Sequence, residues 1–522
     1  MLSLLSSSPV ARIADAAKRL RALKGLQRAA AAFGFGLLGA LAFPRTNLTP
    51  VLWVSFPALI FLLQGTANWR QAFITGWSFA FGFLMLALYW IAASMFVDIA
   101  SFWWAVPLAV AGLPAAFAIY YGIAAALAHR MGLKGLSGAL TLALLWFLAD
   151  YVRGHAFTGF PWDLVGHGWS IVLPILQITS IIGIYGLTLL TLITICLPAT
   201  LADKNKHSRA AVAGSLLLFA LIAIWGEARL MQAKDDVVPN VRLRLVQPNI
   251  DQSQKWLSSA RENHFRHLLD LTSAPGLKPV THIVWPETAA TYYLMEEPAR
   301  RHDIAAHLPK GGALLTGLIR RNMDEAGQIH YYNSLIAVDG KANVVAGYDK
   351  FHLVPFGEYI PFRTILPLRA LATFGTDFSS GEGPRSLRVT GLPSFSPLIC
   401  YEIIFPGEVE DRADPPHFLL NVTNDGWYGN TSGPYQHFAV ARIRAIEEGR
   451  PLVRAANTGI SGVMDSYGRV TARLGLGETG FVDADVPEVL NGTLFSQYGG
   501  RGLWLIFGLF SIALIYIRIK RK

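Results

Sequence analysis

The chain has 522 residues, of which 52% are hydrophobic and only 15% are charged, and this is too apolar for a single soluble domain. The formal net charge of +10 would suit a nucleic-acid-binding protein only if the basic residues shared one soluble face. Many of them lie instead in short gaps between apolar runs, as in membrane proteins, so we expect no nucleic-acid partner. The two cysteines, Cys196 in an apolar run and Cys400 among polar residues, exclude a disulfide framework.

Apolar runs dominate the chain from about residue 28 to about residue 226. A helix needs about 20 mostly apolar residues to cross the hydrocarbon core of a bilayer. The sequence therefore predicts a multi-span α-helical membrane bundle over residues 28–226 and one further span within residues 501–522, about eight helices in all. The predicted spans lie near residues 28–44, 50–66, 72–97, 103–128, 137–152, 172–200, 209–226 and 502–517.

The basic residues are distributed unevenly over the gaps between these spans. Cytoplasmic loops carry an excess of lysine and arginine, so we expect both termini in the cytoplasm and residues 227–500 in the periplasm. Residues 1–27 are expected to form a basic cytoplasmic segment beside a permanent first span, not a transit peptide. The short outer gaps then hold only Arg45, Arg153 and Arg501. The inner basic residues are Arg12, Lys18, Arg19, Arg21, Lys24, Arg28, Arg70, Arg130, Lys134, Lys204, Lys206, Arg209, Arg518, Lys520, Arg521 and Lys522.

From about residue 240 the pattern changes to short β-rich runs separated by glycine, proline and polar clusters. Helical stretches are predicted between some of these runs, at 259–272 and 436–448. Strands that alternate with helices over residues 227–500 indicate one α/β domain of ordinary size. The predicted strands lie at 241–245, 282–285, 313–318, 334–338, 344–348, 395–399, 418–422 and 452–455.

Three of the predicted strands end in a reactive side chain. Glu287 follows Pro286, which cannot continue a central strand, whereas Lys350 and Cys400 follow the strands at 344–348 and 395–399. In open α/β folds ligands collect at the carboxyl ends of strands, so these three groups could converge in one pocket. Taken singly, each is more often a solvated acid, a surface lysine or a core cysteine.

The sequence around these three residues resembles the glutamate, lysine and cysteine motifs of the nitrilase superfamily, in the same chain order. The matching segments are Trp-Pro-Glu at 285–287, Asp-Lys-Phe-His-Leu-Val-Pro-Phe-Gly-Glu at 349–358 and Ile-Cys-Tyr-Glu at 399–402. Three further segments resemble the membrane-embedded branch of that superfamily, the apolipoprotein N-acyltransferases. They are Val-Gln-Pro-Asn-Ile at 246–250, Asn-Asp-Gly-Trp-Tyr-Gly at 424–429 and Gly-Pro-Tyr-Gln-His at 433–437.

The resemblance implies a nitrilase-like αββα sandwich for residues 227–500 and a ping-pong acyl transfer through a cysteine thioester. It implies that Cys400 is the nucleophile, Glu287 the general base, Lys350 the oxyanion stabiliser and Glu358 the residue that orients Lys350. The donor would be a phospholipid such as phosphatidylethanolamine. The acceptor would be the N-terminal α-amino group of a diacylglyceryl-cysteine lipoprotein. The enzyme would act as a monomer in the bacterial inner membrane, without a cofactor.

Four further residues are candidates for substrate binding. Trp256 follows the 246–250 segment in a polar loop, Tyr401 and Glu402 follow the cysteine directly, and Trp427 lies in the 424–429 segment. A buried aromatic residue in an α/β domain is, however, more often part of the core.

Other polar residues receive plainer interpretations. The histidines His352, His417 and His437 lack the HExxH spacing of a zinc site, so no metal is expected. Asp163 and His167 flank a predicted outer loop beside Arg153, where solvated positions are the commoner case.

Two rival functions remain open from the sequence. A membrane-tethered nitrilase-type amidase or ester hydrolase would use the same three residues and release its product to water. A transporter or lipid-binding scaffold with an inert nitrilase-like domain is disfavoured, because few ionisable residues lie within the predicted spans to form an ion pathway.

Overall fold

The structure is a computed structural model that describes residues 9–203, 206–361 and 377–519. Residues 1–8 of the predicted N-terminal segment lie outside the described residues, as do the inner basic residues Lys204, Lys520, Arg521 and Lys522. The chain forms two compact units. The first comprises Met1–Ala92, Trp104–Gln232 and Tyr498–Lys522, and the second comprises Ala93–Trp103 and Ala233–Gln497.

The helices of the chain up to residue 232 are mostly long and apolar. Glycine allows some of them to pack closely, since a Cβ on Gly36 would lie 2.0 Å from the carbonyl oxygen of Phe79 on a neighbouring helix. The α-helices are α1 Pro9–Ala22, α2 Gly25–Ala40, α3 Leu52–Gln64, α4 Trp69–Leu88, α5 Ile99–Phe102, α6 Leu113–Met131, α7 Gly135–His155, α8 Leu173–Leu176, α9 Thr179–Cys196 and α10 Lys206–Met231.

Five helical stretches among the described residues are long and apolar enough to cross a membrane. They are Trp69–Ala105, Leu108–Met131, Gly135–His155, Thr179–Asp203 and Lys206–Met231. The predicted count of about eight spans is therefore not confirmed. The runs near 28–44 and 50–66 fall on helices of only 16 and 13 residues, α2 and α3, which are short for a full bilayer crossing. The run near 502–517 falls on a helix at Arg501–Ile519, which is not among the five.

Arg153, Asp163 and His167 are buried inside the first unit, so the solvated positions predicted for them are wrong. The guanidinium of Arg153 donates hydrogen bonds to the carbonyl oxygens of Phe160 and Trp162, at 2.8 and 2.7 Å. A buried arginine needs such acceptors to offset its lost hydration. The side chain of Arg153 therefore holds the loop that follows α7 against the end of α7.

The second unit contains two β-sheets with helices on their outer faces. The order of strands is β11-β1-β2-β3-β4-β5 in the first sheet and β10-β9-β8-β7-β6 in the second. All eight predicted strands are present as β1 to β8, whereas β9 to β11 were not predicted. The strands are β1 Val237–Gln247, β2 His282–Val284, β3 Ala313–Met323, β4 Ile329–Asp339, β5 Val344–Asp349, β6 Phe395–Ile399, β7 Phe418–Thr423, β8 Leu452–Ala456, β9 Ser461–Met464, β10 Val470–Leu474 and β11 Gly480–Pro487.

Alternation of side chains along the strands builds the layers of this unit. In β2, Val284 faces the core that both sheets share, whereas Ile283 points the other way. Ile283 packs in a second cluster with Phe265 of helix α11 and Ile304 of helix α12. Helix α13 buries Ile443 and other apolar residues. The remaining helices are α11 Arg261–Ser273, α12 Pro298–Ala305, α13 Gly433–Glu448, α14 Leu494–Tyr498 and α15 Arg501–Ile519.

The predicted helices at 259–272 and 436–448 correspond to α11 and α13, and the αββα sandwich is confirmed. Strands β2 and β3 are parallel, and β4 is antiparallel to both β3 and β5, so β5 runs in the same direction as β2. The residues that follow β2 and β5 therefore emerge at the same edge of the first sheet. In the second sheet β6, β7 and β8 are parallel and likewise share one edge.

Candidate active site

Glu287 lies three residues beyond the end of β2, with its carboxylate buried and held on both oxygens. Oε1 accepts a hydrogen bond of 2.7 Å from the side-chain amide of Asn333, and Oε2 accepts one of 2.8 Å from the backbone N–H of Asn424. Its backbone crosses β3 closely, since a Cβ on Gly317 would lie 2.6 Å from the Cα of Glu287. Contacts on every side thus fix the direction of this carboxylate.

Lys350 follows β5 directly and is buried between two carboxylates. Its Nζ lies 2.9 Å from the carboxylate of Glu358 and 3.7 Å from Oε1 of Glu287. Burial opposes the charge of the ammonium, but Glu358 and Glu287 outweigh burial and raise the pKa of Lys350 above its ordinary value. Lys350 is therefore a fixed positive charge at neutral pH.

Glu358 is itself held in place. Its Oε1 accepts a second hydrogen bond, of 2.9 Å, from the side-chain amide of Asn333, and its Oε2 accepts one of 2.8 Å from the backbone N–H of Val354. Asn333 on β4 thus bridges Glu287 and Glu358 from one side while Lys350 bridges them from the other. This arrangement fixes both carboxylates relative to the lysine.

Cys400 follows β6 in a strained backbone conformation, with φ of 52°. A non-glycine residue with positive φ is uncommon, and such strain is found preferentially at functional sites. The sulfur lies 3.7 Å from the hydroxyl of Tyr428. The turn between β6 and the short helix that follows therefore presents the sulfur at the end of the strand.

The thiol of Cys400 is protonated at rest. Burial raises the pKa of Cys400 to about 12, and the negative charge of Glu287 acts in the same direction. Lys350 lowers the pKa of this thiol, but it does not overcome those two effects. A proton acceptor is needed to form the thiolate. The carboxylate of Glu287, whose charge affects the pKa of the thiol, is the candidate acceptor.

Glu402 clamps the strand end that carries Cys400 to the segment that carries Lys350. Its Oε2 accepts a hydrogen bond of 2.6 Å from the backbone N–H of Ile399, and its Oε1 accepts hydrogen bonds of 2.7 Å from the hydroxyl of Tyr348 and from the backbone N–H of Phe351. Burial raises the pKa of Glu402, and these hydrogen bonds oppose that rise. Both oxygens are therefore engaged by protein donors.

A buried charged network contacts the backbone of Cys400. Nε2 of His437 lies 3.2 Å from the carbonyl oxygen of Cys400, and its Nδ1 lies 2.9 Å from Asp425, which also pairs with Arg454 at 2.8 Å. His437 therefore meets the backbone of Cys400. The other two histidines considered as metal ligands, His352 and His417, pair with Glu408 and Glu488.

Replacing Arg454 with methionine should lower the free energy of unfolding by about 3–5 kcal/mol, because it leaves the buried charge of Asp425 without its arginine. Burial favours the neutral acid, but Arg454 and His437 lower the pKa of Asp425 to about 2, below its ordinary value of 3.8. The stabilisation from this pair is therefore complete above about pH 4 and is lost as the pH falls toward 2.

Unfolding midpoints of the purified parent and variant at pH 7 and pH 4 measure this effect. Without Arg454, burial raises the pKa of Asp425, so the difference in stability between parent and variant should be largest at pH 7 and should narrow at lower pH. The control is Arg388→Met, which breaks an exposed pair with Asp414 and should cost at most about 1 kcal/mol. Equal midpoints for Arg454→Met and the control would contradict the expectation.

The structure brings Glu287, Lys350 and Glu358 into one buried cluster and places the Cys400 thiol within reach of the charges of Glu287 and Lys350. Tyr401 is buried, with its ring 5.1 Å from that of Phe405. Trp427 is half-buried, and Trp256 is 38% exposed.

Sequence reasoning missed two polar residues of the site, Asn333 and Lys255. Asn333 directly precedes the predicted strand at 334–338, where it had no distinguishing signal. Lys255 precedes Trp256 in a polar loop, yet it is fully buried. The only sequence signal for Lys255 was its position in the polar loop, directly before Trp256.

An αββα sandwich with a buried glutamate, lysine and cysteine at its strand ends defines a domain of the carbon-nitrogen hydrolase class, and the family model described as carbon-nitrogen hydrolase matches residues 242–492. A second model, described as the apolipoprotein N-acyltransferase N-terminal domain, matches residues 35–197. The chain belongs to the apolipoprotein N-acyltransferase family and is therefore an acyltransferase.

Similar proteins cover almost the whole chain. An apolipoprotein N-acyltransferase of Bradyrhizobium diazoefficiens is 38% identical over 517 residues, which is 95% of this chain and 96% of that protein. One from Rhodopseudomonas palustris is 38% identical, over 91% of this chain and 92% of the relative. Among solved structures, an amidase from Nesterenkonia sp. is 20% identical with a TM-score of 0.36, over 52% of this chain and 98% of that one.

Proposed function

We propose that this membrane protein transfers a fatty acyl group from a phospholipid to the N-terminal α-amino group of a diacylglyceryl-cysteine lipoprotein, through a thioester on Cys400. The observation that carries the proposal is the buried cluster of Glu287, Lys350 and Glu358, in which the charges of Glu287 and Lys350 act on the Cys400 thiol. A covalent intermediate suits this reaction, because it holds the acyl group between cleavage of an ester and formation of an amide.

In the first step Glu287 takes the thiol proton of Cys400, and the thiolate attacks the ester carbonyl carbon of the phospholipid. Lys350 stabilises the negative charge that develops on the carbonyl oxygen. Collapse of the tetrahedral intermediate breaks the ester C–O bond, and the proton on Glu287 passes to the departing lysophospholipid oxygen. The products of this half-reaction are the thioester on Cys400 and a free lysophospholipid.

In the second step the amine of the acceptor attacks the thioester carbonyl, and Glu287 takes a proton from the amine. Collapse breaks the C–S bond, so that the amide forms and the Cys400 thiolate leaves. The thiolate regains the proton from Glu287, and the resting site is restored. The same carboxylate thus serves as base and acid in both steps.

Glu358 would act on the reaction through Lys350, because it holds the ammonium at 2.9 Å. The contacts of Glu402 with Ile399, Tyr348 and Phe351 support a positioning role for it in place of the predicted substrate contact. Tyr401, Trp256 and Trp427 are retained as candidates for substrate binding. The half-exposed ring of Trp256 is the best placed of these to meet a ligand.

Membrane location follows from the apolar helices and from the chemistry of both substrates. Drawing an acyl chain out of the bilayer into water costs about 0.8 kcal/mol per CH₂ group, so a site beside the membrane avoids a large penalty. The positive-inside rule supports cytoplasmic termini and a periplasmic catalytic domain in the bacterial inner membrane. We propose that one copy of the chain is sufficient for activity.

The test is to incubate the purified chain with phosphatidylethanolamine and a diacylated lipopeptide and to follow both products by mass spectrometry. Formation of triacylated lipopeptide together with lysophospholipid supports acyl transfer. Release of free fatty acid without triacylated lipopeptide would favour the membrane-tethered hydrolase instead. A chain that neither acylates the peptide nor releases fatty acid would favour an inert scaffold.

A further inference from the structure

Lys255 is a second buried cation of the catalytic unit, and the mechanism above does not use it. Its side chain is only 1% exposed. The Nζ donates hydrogen bonds to the carbonyl oxygen of Glu287, at 3.2 Å, and to the hydroxyl of Thr288, at 2.9 Å. A buried lysine is costly unless its charge is compensated, so this arrangement calls for a functional or structural reason.

We propose that Lys255 is a positioning residue that holds the backbone of the general base and supplies a positive charge beside the buried carboxylates of the active site. This inference rests on the proposed function, because it assigns Lys255 a part in forming the Cys400 thiolate.

The backbone that Lys255 holds is strained. Thr288 has a φ of 44°, which a β-branched residue rarely adopts. On the opposite side β3 is so close that a Cβ on Gly317 would lie 2.6 Å from the backbone nitrogen of Thr288. Strain of this kind persists only where the surroundings enforce it. The two hydrogen bonds from Lys255 hold this conformation at Glu287, which carries the carboxylate, and at Thr288.

Lys255 is the second ammonium group beside the buried carboxylates of the site. The carboxylates are Glu287, Glu358 and Glu402, and the other ammonium is Lys350. When the thiol proton of Cys400 moves to Glu287, the new thiolate replaces the lost carboxylate charge, and the net charge does not change. Without Lys255 both states carry one more uncompensated negative charge in a buried site, where charges interact strongly.

The protonation of Lys255 responds to pH in the range where the enzyme would be assayed. Burial lowers the pKa of Lys255 to about 8, although Glu287 and Cys400 act to raise it. Those two groups face the ammonium from the ends of β2 and β6, and His264 of α11 also lies near enough to interact with it. Because proton transfer from Cys400 to Glu287 is internal, loss of the Lys255 charge should appear as an alkaline limit on thioester formation.

The experiment measures the rate at which the full-length chain, mixed with phosphatidylethanolamine alone, acquires an acyl group on Cys400 between pH 6 and pH 10. In the parent this rate should fall above about pH 8. In Lys255→Met it should be lower by at least about tenfold at pH 7 and should show no fall near pH 8. Lys255→Arg keeps its charge throughout the range and should retain its rate at pH 9 better than the parent.

The exposed Lys341→Met is the matched control and should leave both the rate and its pH profile unchanged. Unfolding midpoints identify any variant that fails to fold, and alkylation of Cys400 by iodoacetamide over the same pH range gives a second rate that needs no acyl donor. Lys255→Met with the rate and pH profile of the parent in both assays overturns the inference. Absence of acylation in the parent overturns the proposed function instead, and the alkylation profiles then decide the role of Lys255.

Discussion

Replacing Cys400 with alanine should reduce acyl transfer by at least about 10⁴-fold, because it removes the atom that carries the acyl group between the two half-reactions. The intact-mass spectrum of Cys400→Ala incubated with phospholipid should show no added acyl group, whereas the parent should show one. Triacylated lipopeptide is quantified in the same samples. The fold should be retained, since the substitution removes a single buried sulfur atom.

Cys196→Ala is the matched control for loss of a cysteine, because Cys196 is buried in helix α9, outside the catalytic unit. This variant should leave transfer unchanged.

Glu287→Gln separates the base from the nucleophile. It preserves the shape of the side chain but cannot accept the thiol proton, and it should slow thioester formation by about 10²- to 10⁴-fold. Normal thioester formation in Glu287→Gln would contradict the base assignment, and normal transfer in Cys400→Ala would contradict the thioester itself.

The ends of the buried strands could be predicted from sequence because strands covered on both faces appear as short apolar runs. Val284 and Ile399 are completely buried, and the polar residues that follow their strands were therefore conspicuous. Strand β10 escaped prediction for the opposite reason. Strand β10 is mostly exposed, and no continuous apolar run marks it.

The polar neighbours of the site could not be predicted in this way, because their roles arise from contacts between distant parts of the chain. Asn333 lies 46 residues from Glu287 in sequence, and Lys255 lies 32 residues from it, yet both donate to it. The spacing of residues gives no signal for such pairs. The number of spanning helices could not be predicted from composition for a different reason, since apolar composition alone does not separate a full crossing from a shorter buried helix.

The second large loss of activity is expected when Lys350 is replaced. Lys350→Met removes the cation that stabilises the oxyanion, and loss of one such group typically costs about 10²- to 10³-fold in rate. It also leaves Glu287 and Glu358 facing each other without the ammonium between them. Breaking a buried ion pair from one side costs about 3–5 kcal/mol, so the unfolding midpoint should fall together with the activity.

Two further variants separate the effect on the reaction from the effect on folding. In Lys350→Met/Glu358→Gln the second carboxylate is neutral, so part of the lost stability should return while thioester formation stays at least about 10²-fold slow. Lys350→Arg keeps the charge, but its larger planar guanidinium cannot take the buried position in which the compact Nζ meets both Glu358 and Glu287, so it should not restore the rate. The rate comes from the mass of the acyl-enzyme over time, and the stability comes from denaturant midpoints. A double variant that regains both stability and rate would show that Lys350 serves only to neutralise Glu358, and the oxyanion role would then be wrong.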